Sequence, residues 1–218
     1  MVAVQFTSVG DVNIDIQNLI IGGLSVGDTL NIFDGGVYSS YMYDTATYIY
    51  DPAFEDDGGS DWIDQGPGWS DRDAWRAVGS VAPGSGYWFL SPTSKTITSG
   101  GEVIAANAPL NNVGNNVLRM ISNPMPVSVD LQDIVFDGIP VGATVNFFNG
   151  VGYSTYVYDA ATYIYDPAFE DDGGSDWVDQ GPGWSDMNAW RAEKTINVGE
   201  AFWINSSANV TVTFPNPK

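Results

Sequence analysis

The chain alternates short runs of apolar and β-branched residues with clusters of Gly, Pro, Asp and Asn. Runs of this length and composition predict β-strands, and helical periodicity is nearly absent. The clearest predicted strands are Thr29–Phe33, Tyr38–Tyr43, Thr47–Tyr50, Tyr87–Leu90 and Lys95–Thr98. The best helical candidate is a single turn at 70–75, where Ser and Asp residues can cap it. The pattern therefore predicts an all-β fold.

Glycine-containing turns separate several of these runs. Asp34-Gly35-Gly36 and Asn149-Gly150 supply residues that tolerate a positive φ between two strand-like runs, which predicts hairpins. Many short strands joined by such turns favour a jelly-roll-like β-sandwich.

A duplication organises the chain. Residues 12–98 align without a gap to residues 127–213 at a constant offset of 115, and 49 of the 87 aligned positions are identical. A tandem repeat of this kind predicts two similarly folded units. We therefore expect two tandem β-sandwich (jelly-roll-like) domains related by internal duplication: residues 1–98, and residues 99–218 with the linker strand. The stretch ATYIYDPAFEDDGGSDW is the same in both copies, which either recent homogenisation or a function located there explains.

The repeat arithmetic leaves one strand unaccounted for. Two complete units of 115 residues need 12 more residues than the chain has, which is about one strand and a turn. The linker holds two strand-like segments, Glu102–Ala106 and Val117–Ile121, and only the second has a counterpart in the first copy, Val2–Phe6. Either the first repeat lacks its opening strand or the second lacks its closing strand.

A sheet that lacks a strand can be completed by another chain. The candidate assembly strands are the N-terminal segment, with Val2, Val4 and Phe6, and the linker segment, with Val103 and Ala105. The alternative is that the strand lies in residues outside this chain, or that the domain closes without it.

Charge and composition restrict the chemistry. The chain has 27 acidic against 7 basic residues, a net charge of −20, and neither Cys nor His. These absences exclude disulfides, thiolate metal sites and His-dependent catalytic triads. Paired carboxylates alone remain for catalysis and nothing fixes their spacing, so we expect no enzyme. The negative charge disfavours nucleic acid as a partner, and no apolar run is long enough to predict a membrane span.

Acidic residues are concentrated in two matched loops, which hold 15 of the 27 acids. Carboxylate oxygens on a glycine-containing loop are the ligands that calcium prefers, although the spacing is not that of an EF-hand. The candidate calcium ligands are Asp56, Asp57, Asp61 and Asp64, with Asp171, Asp172, Asp176 and Asp179 in the second copy. No other cofactor is predicted, and the alternative is a solvated acidic loop that keeps the protein soluble.

Aromatic residues and two sequons are the remaining candidates. Trp rings stack on the apolar faces of sugars and carboxylates accept bonds from sugar hydroxyls, so Trp62, Trp69, Trp177 and Trp184 are candidate ligand aromatics. The alternative is that these rings fill the core or anchor the loops. Asn205 and Asn209 each begin a sequon, which is either accidental or a site of glycan decoration.

One stretch resembles a known type of module. Residues 117–131 read VLRMISNPMPVSVDL, which resembles the WNLISNPYPSPIDL opening of β-sandwich modules in secreted and surface proteins of Bacteroidetes and related bacteria. A Gly-Tyr-rich hairpin at 149–158 and the segments NVGEAFWIN and APGSGYWFL are similar to later parts of those modules. The resemblance implies an extracellular or cell-surface protein without catalytic activity. The tandem arrangement is also similar to that of subunits of bacterial extracellular fibres, by analogy of architecture.

Two functions are consistent with these features. The first is a structural subunit of an extracellular bacterial fibre or surface assembly, in which copies of the chain polymerise head-to-tail by β-strand complementation. The alternative is a calcium-dependent carbohydrate-binding or adhesive surface module, with glycans as partners.

Overall fold

A computed structural model describes residues 14–19, 21–33, 36–52, 61–81, 84–97, 109–114, 116, 118–166 and 176–215. The described part is nearly all β, with antiparallel sheets and short 3-10 turns at Ile16–Asn18 and Leu131–Asp133. The all-β prediction is confirmed. Among the described residues, no helix has the length and apolar character that a membrane span requires.

Strands at matched positions form the two repeats. The strands of the first repeat are β1 (Ile14–Asp15), β2 (Ile21–Gly22), β3 (Thr29–Phe33), β4 (Tyr38–Asp44), β5 (Tyr48–Tyr50), β6 (Trp62–Asp64), β7 (Gly68–Ser70), β8 (Ser80–Val81), β9 (Tyr87–Leu90) and β10 (Thr96–Ile97). The strands of the second are β11 (Pro109–Gly114), β12 (Arg119–Ser122), β13 (Val129–Asp130), β14 (Val135–Asp137), β15 (Thr144–Phe148), β16 (Tyr153–Asp159), β17 (Tyr163–Tyr165), β18 (Trp177–Asp179), β19 (Gly183–Ser185), β20 (Thr195–Ile196), β21 (Ala201–Asn205) and β22 (Asn209–Thr213).

The sheets of the two repeats correspond. The main sheet of the first repeat has the order β7-β4-β3-β9, and that of the second has the order β12-β21-β15-β16-β19. A smaller sheet pairs β10 with β2 in the first repeat and has the order β11-β22-β14 in the second. The small pairs β1-β8 and β5-β6 recur as β13-β20 and β17-β18.

Period-two alternation explains the core of the second repeat. Four side chains project from the same face of the five-stranded sheet into one buried cluster. They are Val145 and Phe147 of β15, and Phe202 and Ile204 of β21. Phe136, Val210 and Val212 of the three-stranded sheet join that cluster. A core between two sheets gives a sandwich-like architecture. The first repeat has its own cluster, built around Ile16, Leu30, Trp69, Val81 and Tyr87. The domain division at residue 98 and the jelly-roll topology stay predictions.

Alternating residues on the opposite face join the repeats. Met120, Ala201 and Trp203 are buried against Phe33 and Trp88 of the first repeat. The Phe33 and Trp203 rings lie 5.1 Å apart, centroid to centroid.

The same contact occurs in reverse. Trp88 and Phe148 lie 5.3 Å apart, edge to face. Since Phe148 and Trp203 are the counterparts of Phe33 and Trp88 at the offset of 115, each repeat contributes the same two residues. The contact is therefore isologous, as in a two-fold symmetric dimer.

One sequence prediction about local structure needs correction. No helical turn forms at 70–75, because Arg72 and Ala74 have φ of 86° and 62°, which are not helical values. The linker strand that completes the second repeat is β11, which pairs with β22 across a bulge between Leu110 and Val113. Its sequence, PLNNVG, has too little apolar alternation to identify it. The predicted strand at 102–106 lies outside the described residues.

Candidate ligand-binding grooves

A two-stranded hairpin stands beside the main sheet of each repeat. In the first repeat β5 pairs with β6 in antiparallel register, with Tyr48 opposite Asp64 and Tyr50 opposite Trp62. The N–H of Asp51 donates to the carbonyl of Asp61 at 3.0 Å, so the two ends of the acidic loop lie together at the end of the hairpin. The hairpin thus presents aromatic side chains next to the acidic loop.

The segment at 71–76, which follows β7, packs against this hairpin. The N–H of Tyr48 donates to the carbonyl of Ala74 at 2.9 Å, and the N–H of Arg76 donates to the carbonyl of Tyr48 at 2.8 Å. The Arg76 guanidinium also donates to the Thr47 hydroxyl at 2.9 Å. These bonds fix Trp75 beside the strand that carries Tyr48.

The aromatic rings of the first repeat form a partly exposed cluster, in which neighbouring rings are tilted by 55–57°. The Trp62 and Trp75 centroids lie 3.6 Å apart, and the Tyr50 and Trp62 centroids lie 5.2 Å apart. Trp62 is 43% exposed and Tyr50 is 47% exposed. An open cavity of about 350 Å³, which we call groove 1, lies beside these rings. It is lined by Tyr48, Trp62, Asp73 and Trp75. This volume is near the lower limit of small-molecule sites, about 300 Å³.

The second repeat reproduces the groove. The Trp177 and Trp190 centroids lie 3.4 Å apart, the Tyr165 and Trp177 centroids lie 5.2 Å apart, and Trp177 is again 43% exposed. Tyr163, Trp177, Asn188, Ala189 and Trp190 line a cavity of about 360 Å³, which we call groove 2. Among the lining residues that the structure describes, the two grooves share their aromatic residues and differ in one polar residue: Asp73 stands where groove 2 has Asn188.

A glutamine supports the groove from behind in each repeat. Nε2 of Gln17 donates to the carbonyls of Trp69 and Ala77 at 2.8 and 2.9 Å, and its Oε1 accepts from the N–H of Trp69 at 3.0 Å. Gln132 makes the equivalent three bonds with Trp184 and Ala192. Each glutamine therefore bridges β7 or β19 and the segment that follows it, whose Ala77 or Ala192 N–H also donates to the Trp69 or Trp184 carbonyl.

Two of the predicted ligand aromatics belong to the core instead. Trp69 and Trp184 are each 2% exposed and occupy the middle of β7 and β19. Their rings pack edge-on against Tyr43 and Tyr158 at 5.6 and 5.4 Å. The structure thus corrects the ligand assignment for this pair, because alternation in a strand directs both rings inward. Trp62 and Trp177, the other predicted pair, are the exposed rings of the grooves.

Sequence reasoning missed Trp75, Trp190 and the tyrosines that complete the grooves. The available signal was the matched position of each Trp and Tyr in the two copies. A matched Trp is equally expected in the core, and only the tertiary contacts distinguish the two cases.

The predicted calcium ligands are only partly described. Asp64 and Asp179 each accept the N–H of a glycine two residues on, at 2.7 Å, so one oxygen of each carboxylate caps a turn. Asp61 and Asp176 lie at the base of the acidic loops. The remaining ligands, Asp56, Asp57, Asp171 and Asp172, lie outside the described residues. In the part of the chain that the structure describes, no three acidic residues form a group that could hold a metal ion. The calcium site stays a prediction.

The other predicted sites are placed as follows. Asn205 ends β21 and Asn209 begins β22, and both are exposed. The predicted assembly residues lie outside the described ranges: Val2, Val4, Phe6, Val103 and Ala105.

Comparisons with family models, with curated proteins and with solved structures find no match to this chain. The resemblance to the Bacteroidetes modules therefore stays a prediction, and the geometry of the grooves carries the functional argument.

Proposed function

We propose that this chain is a non-catalytic carbohydrate-binding module with two sites, one in groove 1 and one in groove 2. The observation that carries the proposal is the repetition, in both repeats, of a partly exposed cluster of two Trp rings and one Tyr ring that are tilted by 55–58° to one another. An exposed indole offers a flat apolar face on which the C–H face of a sugar ring can stack, and a nearby polar side chain can bond to its hydroxyls.

The construction of the grooves supports this proposal. Trp62 and Trp177 pack on a neighbouring Trp and Tyr ring and are each still 43% exposed, so part of each indole is accessible to a ligand. In each repeat, backbone hydrogen bonds between the hairpin and the segment after β7 or β19 fix Trp75 or Trp190. A rigid aromatic platform loses little conformational entropy when it binds a ligand.

A glycan array tests the proposal. The wild-type chain is expected to bind one or more oligosaccharides, and the Trp62→Ala/Trp177→Ala variant to lose that binding by at least about tenfold. Val78→Ala is the matched control, because Val78 is 95% exposed and lines neither groove. Equal glycan binding by the double variant and the wild type would refute the proposal.

A second function, a structural subunit of an extracellular fibre, is favoured by a different observation. In the second repeat β22 lies between β11 and β14, whereas among the described residues β10 pairs only with β2. A strand supplied by a neighbouring copy, with Val103 and Ala105 as the proposed donor residues, would complete the first repeat as β11 completes the second.

Negative-stain microscopy at high protein concentration tests this second function. Filaments are expected from the wild type, and their loss is expected when Val103→Pro and Ala105→Pro remove two strand donors. Monomers alone in the wild-type sample would refute it.

A further inference from the structure

The two grooves provide an internal comparison, because one polar residue separates them among the lining residues that the structure describes. Asp73 of groove 1 and Asn188 of groove 2 are both exposed and occupy the same place in the same turn. The N–H of Asp73 donates to Oδ1 of Asp71 at 3.2 Å, and the N–H of Asn188 donates to Oδ1 of Asp186 at 3.0 Å. The backbone is thus held alike, and the difference is the chemistry of the side chain.

A carboxylate and an amide differ in the ligand groups they accept. Both accept hydrogen bonds from sugar hydroxyls, but only the carboxylate attracts a cation. An ammonium group beside Asp73 would also lie near the faces of Trp62 and Trp75, whose π electrons attract cations. Groove 1 therefore combines two features that favour a positively charged ligand, and groove 2 has only the aromatic one.

We propose that groove 1 selects sugars that carry a protonated amino group over their N-acetylated forms, and that groove 2 does so less. This inference rests on the proposed function, since it assigns the ligand class of the same sites. The ligand is an amino sugar, whose ring stacks on the indoles and whose ammonium group pairs with Asp73.

The other charges near the grooves do not produce this difference. The carboxylates of Asp71 and Asp186 are matched, so their attraction for a cation is common to both grooves. Arg72 stands where the second repeat has Met187, and it is not among the residues that line groove 1. A positive charge at Arg72 opposes the proposed preference, so its removal is an informative control.

The two probes share one sugar backbone: fully deacetylated chitotetraose carries amines, and its fully N-acetylated form carries neutral amides. The acetyl groups also differ from the amines in size and hydrogen bonding, so the Asp73→Asn and Asn188→Asp variants isolate the effect of charge. Binding is measured by isothermal titration calorimetry at pH about 5.5, where the amines of the probe are protonated. The Trp177→Ala variant reports on groove 1, and the Trp62→Ala variant reports on groove 2. We call these two variants the groove 1 protein and the groove 2 protein.

The groove 1 protein is expected to prefer the deacetylated probe by about fivefold, the scale of one exposed ion pair. Added Asp73→Asn is expected to remove most of this preference, and Asn188→Asp is expected to create it in the groove 2 protein. Added Arg72→Met is expected to leave the preference intact or increase it. High salt is expected to reduce the preference.

The outcomes separate this inference from the proposed function. Binding of both probes by groove 1 with no preference overturns the inference and leaves the proposed function standing. Equal preference in the two grooves, unchanged by Asp73→Asn, also overturns it, because the overall negative charge would then be responsible. Binding of neither probe by the wild type, together with an empty glycan array, overturns both.

Discussion

A buried ion pair in the first repeat has an apolar counterpart in the second, and this difference makes a quantitative prediction. Nζ of Lys95 lies 3.4 Å from Oδ2 of Asp28, and the two side chains are 6% and 0% exposed. At the offset of 115 these positions are Val210 and Ala143, which are buried at 1% and 4% exposure. The same place in the fold therefore accepts either a charged pair or an apolar one.

Removing one charge is expected to be costly. Asp28→Ala leaves the ammonium group of Lys95 buried, which typically costs about 3–5 kcal/mol. We expect the lower end of that range, because Lys95 keeps the carbonyl of Gly23 at 2.5 Å and the hydroxyl of Ser25 at 2.8 Å. The Asp28→Ala/Lys95→Val variant has an apolar pair at these positions, as the second repeat does. Its free energy of unfolding is expected to be at most about 1.5 kcal/mol below that of the wild type, or to exceed it.

Urea unfolding followed by tryptophan fluorescence measures these free energies. The reasoning is wrong if Asp28→Ala alone costs less than about 1 kcal/mol, or if the double variant is as unstable as the single one. The first result would show that the buried ammonium group of Lys95 costs little, and the second would show that loss of the ion pair is not the cause of the destabilisation.

The same pair predicts a pH dependence. Burial opposes ionisation of Asp28, but the nearby Ser91 hydroxyl, the hydrogen bond from the Ser25 N–H and the charge of Lys95 together outweigh it and lower the pKa of Asp28 below the ordinary 3.8. A folded-state pKa that is lowered stabilises the protein above the unfolded-state pKa, and this contribution is lost as the pH falls through the folded-state value. Wild-type stability relative to the Asp28→Ala/Lys95→Val variant should therefore be constant near neutral pH and decrease below about pH 4.

Two further predictions concern residues whose roles the structure defines. Gln132→Leu removes the bonds that Gln132 makes with the N–H of Trp184 and the carbonyl of Ala192, whereas the carbonyl of Trp184 keeps the bond from the N–H of Ala192 at 2.8 Å. The free energy of unfolding should therefore fall by about 1–3 kcal/mol in urea melts; a loss below about 0.5 kcal/mol would show that this bridging role is wrong. Gly86→Ala places a methyl group 2.9 Å from Sδ of Met120 in the contact between repeats. Calorimetry is expected to show a loss of about 1–3 kcal/mol in the free energy of unfolding. The control Gly36→Ala is expected to change it little, because the space beside Gly36 is open. Equal stability of the two alanine variants would contradict the close packing at this contact.

Local pattern was sufficient to predict most of the strands. Segments such as Thr29–Phe33 and Tyr87–Leu90 are rich in apolar and β-branched residues, and both are strands in the structure. The segment β11 escaped prediction because its two asparagines and its proline carry little strand signal, and pairing with β22 decides its conformation. The segment 70–75 is not helical, although its Ser and Asp residues also suit a helix cap. Arg72 and Ala74 have positive φ, and the carbonyl of Ala74 accepts from the N–H of Tyr48, a tertiary contact that local pattern does not reveal.

The candidate sites were predicted less completely. Matched tryptophans identified the set of rings, but sequence alone could not separate Trp62, which faces solvent, from Trp69, which lies in the core. That separation depends on which strand each ring occupies and which way it projects. Gln17 and Gln132 gave no signal beyond their matched positions, because a side chain that bridges a strand and the segment after it depends entirely on how the two pack.

The number of sugar-binding sites tests the central claim most directly. Isothermal titration of the wild-type chain with an oligosaccharide found on the array is expected to give two sites per chain, and Trp62→Ala and Trp177→Ala are each expected to leave one. The Trp62→Ala/Trp177→Ala variant is expected to bind none while melting at a temperature close to that of the wild type. An unchanged number of sites in all three variants would contradict the assignment of the grooves as the binding sites.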